Sequence, residues 1–169
     1  MTTGTDTPAT AELVVRVAQL LRDRQWLLAT AESCTGGMIA AACTDLAGSS
    51  EWFERGFVTY SNNAKSEMLG VSPALIAVHG AVSDAVVAAM ASQAVARSHA
   101  HVSVAVSGVA GPTGGSPDKP VGTVWFGWQV DGQVRTERRV FSGDRATVRH
   151  ATVVYALQVL AQLISPAAA

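Results

Sequence analysis

The chain is short of the residues that staple or metallate a fold. Among 169 residues there are two cysteines, Cys34 and Cys43, and four histidines. Two cysteines do not make a disulfide framework, and no CxxC or HxxxH spacing is present, so neither a disulfide scaffold nor a zinc site is indicated. His99 and His101 stand two apart without a second ligand pair. No metal and no cofactor are expected. Charge is also sparse: 15% of residues are charged and the formal net charge is −1. That balance excludes the global basic field that draws proteins to nucleic acid or anionic lipid. No apolar run approaches the roughly 20 residues of a membrane span. Residues 1–10 lack the basic-then-apolar pattern of a secretory leader. The expectation is a cytoplasmic protein with no membrane and no nucleic-acid partner. Walker-loop spacing and a cluster of carboxylates suited to metals are missing too, which disfavours phosphoryl chemistry. Scarcest of the charged residues is lysine. Ten arginines are accompanied by only Lys65 and Lys119.

What is present is a globular composition, 49% hydrophobic. A chain of this length is one domain and buries roughly two-thirds of its unfolded surface. Residues 1–10 read as a flexible tail and residues 11–165 as the single domain. Ala11–Asp23 carries Leu13, Val14, Val17, Leu20 and Leu21 on one helical face. Trp26–Thr30 reads as a short buried strand, Met38–Leu46 as a helix of small residues, and Phe53–Tyr60 as a strand. Asn62–Leu69 is a helix capped by Ser61 or Asn62 and stopped by Gly70. Pro73 opens a further short helix, and Ser83 caps Asp84–Ser98, with Val86, Val87, Met90, Ala94 and Val95 inward. Val102–Val106 is a strand. Thr123–Val130 and Gln133–Phe141 form a hairpin about Asp131-Gly132, a strong hairpin signal. Ser142 or Asp144 caps a last helix that runs to Ile164. Helices alternating with strands, then a late hairpin, predict a three-layer α/β/α sandwich with a mixed sheet.

Three polar, glycine-containing segments interrupt the apolar elements: Ala31–Gly37, Thr59–Lys65 and Ser107–Gly122. Each follows a strand, and ligands of open α/β sheets bind beyond the carboxyl ends of strands. In the first, Ser33, Cys34 and Thr35 precede a helix, whose amides attract a phosphate or a developing oxyanion. A plain N-cap is the bland alternative. Both Ser33 and Cys34 are nucleophile candidates, and a thiolate is the better nucleophile. Lys65 and Lys119 lie in or beside these segments. Lysine can lose its proton when desolvated, whereas arginine effectively cannot, so a neutral lysine can act as base to a serine hydroxyl. Equally, Lys65 can be a solvated helix residue beside Glu67. His79, His99, His101 and His150 all lie outside the three segments, which disfavours a Ser-His-Asp triad. Arg145 and Arg149 share a helix face suited to a phosphate or carboxylate, or merely a solvated one. Glu32 either orients a base or caps a helix.

These residues carry a resemblance. Ala31-Glu32-Ser33-Cys34-Thr35-Gly36-Gly37, Gly48-Ser49-Ser50, Gly56-Phe57-Val58-Thr59-Tyr60-Ser61-Asn62, Ala64-Lys65 and Leu69-Gly70-Val71 are similar to the CinA C-terminal domain family in its stand-alone form. So are Gly80-Ala81-Val82-Ser83, Ser107-Gly108-Val109-Ala110-Gly111-Pro112, Gly114-Gly115, Lys119-Pro120-Val121-Gly122-Thr123, Phe141-Ser142-Gly143-Asp144-Arg145 and Arg149. The likeness runs from about Ala11 to Leu163. It implies a nicotinamide-nucleotide amidase, which hydrolyses the carboxamide of nicotinamide mononucleotide to nicotinic acid mononucleotide and ammonia in pyridine-nucleotide recycling. It implies catalysis by Ser33 and Lys65 with Tyr60 as helper, no metal, and a homodimer. Many relatives carry Thr where this chain has Ser107, and the hydroxyl survives that change. Larger relatives fuse a nucleotide-pyrophosphatase domain, an activity not expected here. On this reading Thr35, Gly36, Gly37, Ser107, Gly108 and Gly111 supply amides or hydroxyls to the substrate, and Lys119 and Arg145 are phosphate candidates. The alternative is a non-catalytic, competence-related interaction module.

Overall fold

The computed structural model describes residues 7–167, with side chains from Thr10 onward. Among them lie six α-helices and five strands. The order is α1 (Thr7–Arg24), β1 (Leu28–Glu32), α2 (Met38–Thr44), β2 (Phe53–Val58), α3 (Asn62–Leu69), α4 (Pro73–His79), α5 (Asp84–Ala96), β3 (Val102–Gly108), β4 (Thr123–Val130), β5 (Gln133–Val140) and α6 (Arg145–Ile164). The five strands form one sheet in the order β2-β1-β3-β4-β5. β1 pairs parallel with both β2 and β3, while β4 and β5 add antiparallel. The mixed sheet follows from the connections. Helical crossovers return a strand parallel, and the two-residue turn at Asp131-Gly132 can only join antiparallel neighbours.

Two apolar cores flank the sheet, giving three layers. One gathers α1, α2 and α6 against Leu28, Val102, Val104, Val106, Val124, Phe126 and Trp128. The other gathers α3, α4 and α5 against Ala29, Ala31 and Ala105. Alternate residues of β1, β3 and β4 therefore serve opposite layers. The second face is built of small side chains, which lets α5 lie close. At Gly127 an added Cβ would stand 2.5 Å from the Val87 carbonyl oxygen, so the approach requires glycine. The inward stripe expected on the last helix, Val148, Val153, Ala156, Leu157 and Leu160, is buried.

Element ends differ from the sequence reading in several places: α2 stops at Thr44, α5 at Ala96 and β5 at Val140, β3 runs on to Gly108, and α1, β1 and β2 differ as follows. α1 begins at Thr7 rather than Ala11, so the tail expectation retains only residues 1–6, which lie outside the described residues. β1 starts two residues later than expected and runs to Glu32, because Gln25 turns the chain with φ 55° and Trp26 is drawn off to stack on His101. Neighbours on both sides hold Ala-Thr-Ala-Glu in the ladder despite its modest strand preference. β2 stops at Val58, so Tyr60 is no strand residue; the chain leaves the sheet after the Thr59 amide bonds the Glu32 carbonyl at 2.9 Å.

Candidate active site

Three strands end at one place. β1 delivers Ser33, the turn after β2 delivers Tyr60, and β3 delivers Ser107 and Gly108, all at carboxyl ends of parallel strands. β1 connects through α2 to β2 on one side, and β2 connects through α3–α5 to β3 on the other. The crevice thus opens where the winding reverses, the usual ligand position in such sheets. A cavity of about 300 Å³ lies there. It is lined by Ser33, Cys34, Tyr60, Lys65, Ser107 and Arg145 among others.

Ser33 is set by both neighbours of its strand. Its amide donates to the Val106 carbonyl at 3.1 Å, continuing the β1–β3 pairing by one residue. The next four residues turn sharply into α2, with Gly36 at φ 59° and Gly37 at φ 102°, angles that side chains resist. Glu32 stabilises this turn from below. It is fully buried, and its carboxyl oxygens accept from Thr35 Oγ1 at 2.7 Å, Ile39 N at 2.8 Å and Ala40 N at 3.0 Å. α2 has no side-chain cap at Gly37. Glu32 supplies the acceptor that an N-cap residue would supply, from the preceding strand. Of the two readings left open for Glu32, the helix cap is the one observed.

Lys65 reaches the site from the opposite layer. Ser61 caps α3 by accepting from the Ala64 amide, and this places Lys65 on the face turned into the protein. Lys65 is 1% exposed, so the solvated residue paired with Glu67 is not what forms. Its Nζ donates to Ser33 Oγ at 2.9 Å, to the Thr59 carbonyl at 2.9 Å and to the Tyr60 carbonyl at 3.3 Å. Among the described residues no carboxylate pairs with it. Burial pulls its pKa down from 10.5 to about 8, against an opposing effect of Cys34. Stripped of its proton, the amine has two N–H bonds and one lone pair. The two carbonyls take the N–H bonds, and the lone pair is left for the serine hydroxyl.

Cys34 also lines the cavity, but burial first, and then Glu32, push its thiol up to about 12. It stays protonated near neutral pH, which removes the advantage of a thiolate. Among the described residues lining the cavity there is no histidine. His101 instead accepts from the Leu27 amide. Among the described residues no three His, Cys, Asp or Glu side chains gather as a metal site.

Arg145 crosses the cavity mouth. It donates to the Gly111 carbonyl at 2.8 Å and to the Tyr60 hydroxyl at 3.1 Å. Ser107, Gly108 and Gly111 line the cavity. Lys119 does not line it. Its ammonium donates to the His79 carbonyl at 3.0 Å, fastening the 109–122 loop to the end of α4. Thr35, Gly36 and Gly37 do not line it either: Thr35 is buried on Glu32, and the two glycines shape the turn. Arg149, read as half of an anion-binding pair, holds the Cys34 and Thr35 carbonyls instead. Asn62, Ala81, Val82, Val109, Ala110, Thr113 and Gly114 line the cavity without having been singled out. All but Thr113 lay inside quoted motifs, so the signal was present there without a role attached.

Known proteins with this arrangement of sequence and fold are close at hand. The nicotinamide-nucleotide amidohydrolase PncC of Enterobacter agglomerans is 55% identical over 148 residues, 87% of this chain and 90% of that protein. PncC of Escherichia coli K12 is 53% identical over 152 residues, covering 89% and 92%. The crystal structure of the competence/damage inducible protein CihA from Agrobacterium tumefaciens superposes with a TM-score of 0.90 at 43% identity, covering 93% of this chain and 96% of that one. The sequence matches the CinA C-terminal domain family over residues 10–164, and the chain belongs to that family.

Proposed function

We propose that the protein is a nicotinamide-nucleotide amidase, a metal-independent serine–lysine hydrolase that converts nicotinamide mononucleotide to nicotinic acid mononucleotide and ammonia. The observation that carries this reading is the buried Lys65 Nζ, 2.9 Å from Ser33 Oγ and without a carboxylate partner. The names of the relatives that match nearly the whole chain supply the substrate. A non-catalytic module would have no use for a lysine desolvated against a serine, since a buried ammonium costs stability.

Ser33 Oγ attacks the carboxamide carbon as its proton passes to neutral Lys65. Lys65 then returns that proton to the amide nitrogen, the C–N bond breaks, and ammonia leaves. Water enters and gives a proton to Lys65 as its oxygen adds to the acyl carbon; Lys65 returns that proton to Ser33 Oγ as the ester bond breaks, which restores the hydroxyl and the neutral amine. The Ser33 amide is committed to Val106 and the Gly36 amide to the Ser33 carbonyl, so amides elsewhere in the turn or in the 107–111 segment must stabilise the oxyanion. Arg145, the guanidinium at the cavity mouth, suits the substrate phosphate, with Tyr60 held beside it. The direct test is ammonia release from nicotinamide mononucleotide, nicotinamide riboside and nicotinamide in excess chelator. Turnover of the mononucleotide is expected, with weaker use of the forms lacking phosphate. No ammonia from any of the three would overturn the assignment.

A further inference from the structure

Among the described residues lining the cavity, Lys65 and Arg145 are the two that carry charge, and no carboxylate lines it. They stand at the two ends of one tyrosine. The Tyr60 carbonyl accepts from Lys65 Nζ at 3.3 Å, and the Tyr60 hydroxyl accepts from Arg145 at 3.1 Å. Lys65 is buried beside Ser33, whereas Arg145 is exposed at the mouth. A ligand with an anion at each end therefore matches this cavity better than a ligand with one. Nicotinamide mononucleotide has one, its phosphate. Nicotinic acid mononucleotide has two, because hydrolysis turns the neutral carboxamide into a carboxylate.

The proton on Lys65 also sets what Ser33 shows to the cavity. An ammonium has three N–H bonds and no lone pair. Ser33 Oγ and the Thr59 and Tyr60 carbonyls take all three. Ser33 then accepts from Lys65, and its own hydrogen is left for the Tyr60 carbonyl at 3.4 Å, already shared with Lys65, or for a ligand. A ligand carboxylate is the stronger acceptor. When Lys65 is neutral, its lone pair takes that hydrogen, and Ser33 turns oxygen lone pairs to the cavity. That state attacks a carbonyl carbon and repels a carboxylate. Neighbouring charges leave this contrast intact. Glu32 is bonded to Thr35, Ile39 and Ala40, Arg149 holds the Cys34 and Thr35 carbonyls, and the Cys34 thiol is protonated. His79 on α4, Asp84 on α5, Glu54 and Arg55 on β2 and Glu67 on α3 itself do not line the cavity.

We propose that the protonated form of the site retains the acid product, its carboxylate on the Ser33 hydroxyl beside the Lys65 ammonium and its phosphate on Arg145, and that the product thereby inhibits the enzyme in a pH-dependent way. This rests on the amidase reading and adds a regulation to it. The ammonium is lost as pH rises through about 8, so product affinity is full below that value and falls above it. The test is the inhibition constant of nicotinic acid mononucleotide in the ammonia-release assay at pH 7.0, 8.0, 9.0 and 9.5, a range in which the product's own anions hardly titrate. Ribose 5-phosphate, which has the phosphate and no carboxylate, is measured alongside. Inhibition by the product is expected to weaken about 10- to 30-fold from pH 7.0 to 9.5, and that by ribose 5-phosphate less than about threefold. Calorimetric binding of the product to Lys65→Met should be as weak at pH 7.0 as wild type is at 9.5, and independent of pH. Where that variant does not fold, the two wild-type series decide alone. A product series flat with pH, or equal weakening of both ligands, overturns the inference and leaves the amidase standing. No ammonia from nicotinamide mononucleotide would remove the amidase reading, and this inference with it.

Discussion

The β4–β5 hairpin and the β1–β3 centre of the sheet use the same backbone ladder for opposite ends. In the hairpin, β5 is mostly exposed and carries Arg135, Glu137, Arg138 and Arg139 along an edge. Glu137 pairs with Arg139 at 2.7 Å and Arg135 at 3.5 Å in partly solvated positions. Such pairs add little stability, but charges blunt an open edge against pairing with another chain. In the centre, β1 is buried along its whole length and β3 along nearly all of its own, yet both hold polar residues: Thr30, Glu32, Ser103 and Ser107. Ser33 and Lys65 stand just beyond. Charge at the edge costs almost nothing because water screens it. Polar groups in the centre are costly without a partner or a task, and of these Thr30 Oγ1 is the one buried without a partner among the described residues. Glu32 finds three donors, Ser103 bonds the Ala91 carbonyl at 2.7 Å, and Lys65 sits against Ser33. Substitutions in the centre should therefore move chemistry, and those in the hairpin only stability.

The largest expected effect is at the nucleophile. Ser33→Ala should lower kcat for ammonia release by about 10⁴-fold or more. Cys34→Ala should stay within about tenfold of wild type, since its thiol is protonated. The reverse pattern would transfer the nucleophile to Cys34. Next is Lys65→Arg, which keeps the charge but not the base and should cost about 10²- to 10⁴-fold in kcat. An active arginine variant would remove the base from the mechanism.

Glu32→Gln separates scaffold from chemistry within the centre. An amide N–H₂ turned toward Ile39 and Ala40 leaves at least one of their amides without an acceptor. Urea unfolding should show a loss of about 1–3 kcal/mol. An unchanged midpoint would mean that the cap is not made by this carboxyl. The smallest effect belongs to the hairpin. Gly132 lies at φ 74° with open space around it, so Gly132→Ala meets only backbone strain. It should cost about 1 kcal/mol and leave kcat/KM unchanged. A fall in turnover there would break the division between the two regions.

The hairpin was also the more legible region in the sequence. Asp131-Gly132 takes φ 52° and 74°, as a two-residue hairpin turn demands, and β4 has the bounds read from its pattern. α3 was equally plain, because Ser61 and Gly70 mark its ends. The strand before Ser33 was displaced by two residues, since Ala-Thr-Ala-Glu becomes a strand only through partners on both sides. The site was legible as a set of residue types. Scarcity of lysine drew notice to Lys65, and the family motifs to Ser33. Distances were not legible. Lys119 stood beside a polar segment as Lys65 did, and only the path of the 109–122 loop turns its ammonium onto the His79 carbonyl. For Arg145 and Arg149, one turn of α6 separates a residue at the cavity mouth from one clamped beneath the nucleophile.

That Lys65 works as an uncharged base is best tested by the pH dependence of kcat/KM for nicotinamide mononucleotide, which reports ionisations of the free enzyme. Burial lowers the Lys65 pKa to about 8, so the neutral base gains population as pH rises through that value. The rate should therefore climb about tenfold per pH unit well below 8, bend near 8, and level off above it. A profile flat from pH 6 to 9, or one still climbing at the ordinary lysine value of 10.5, would contradict the mechanism.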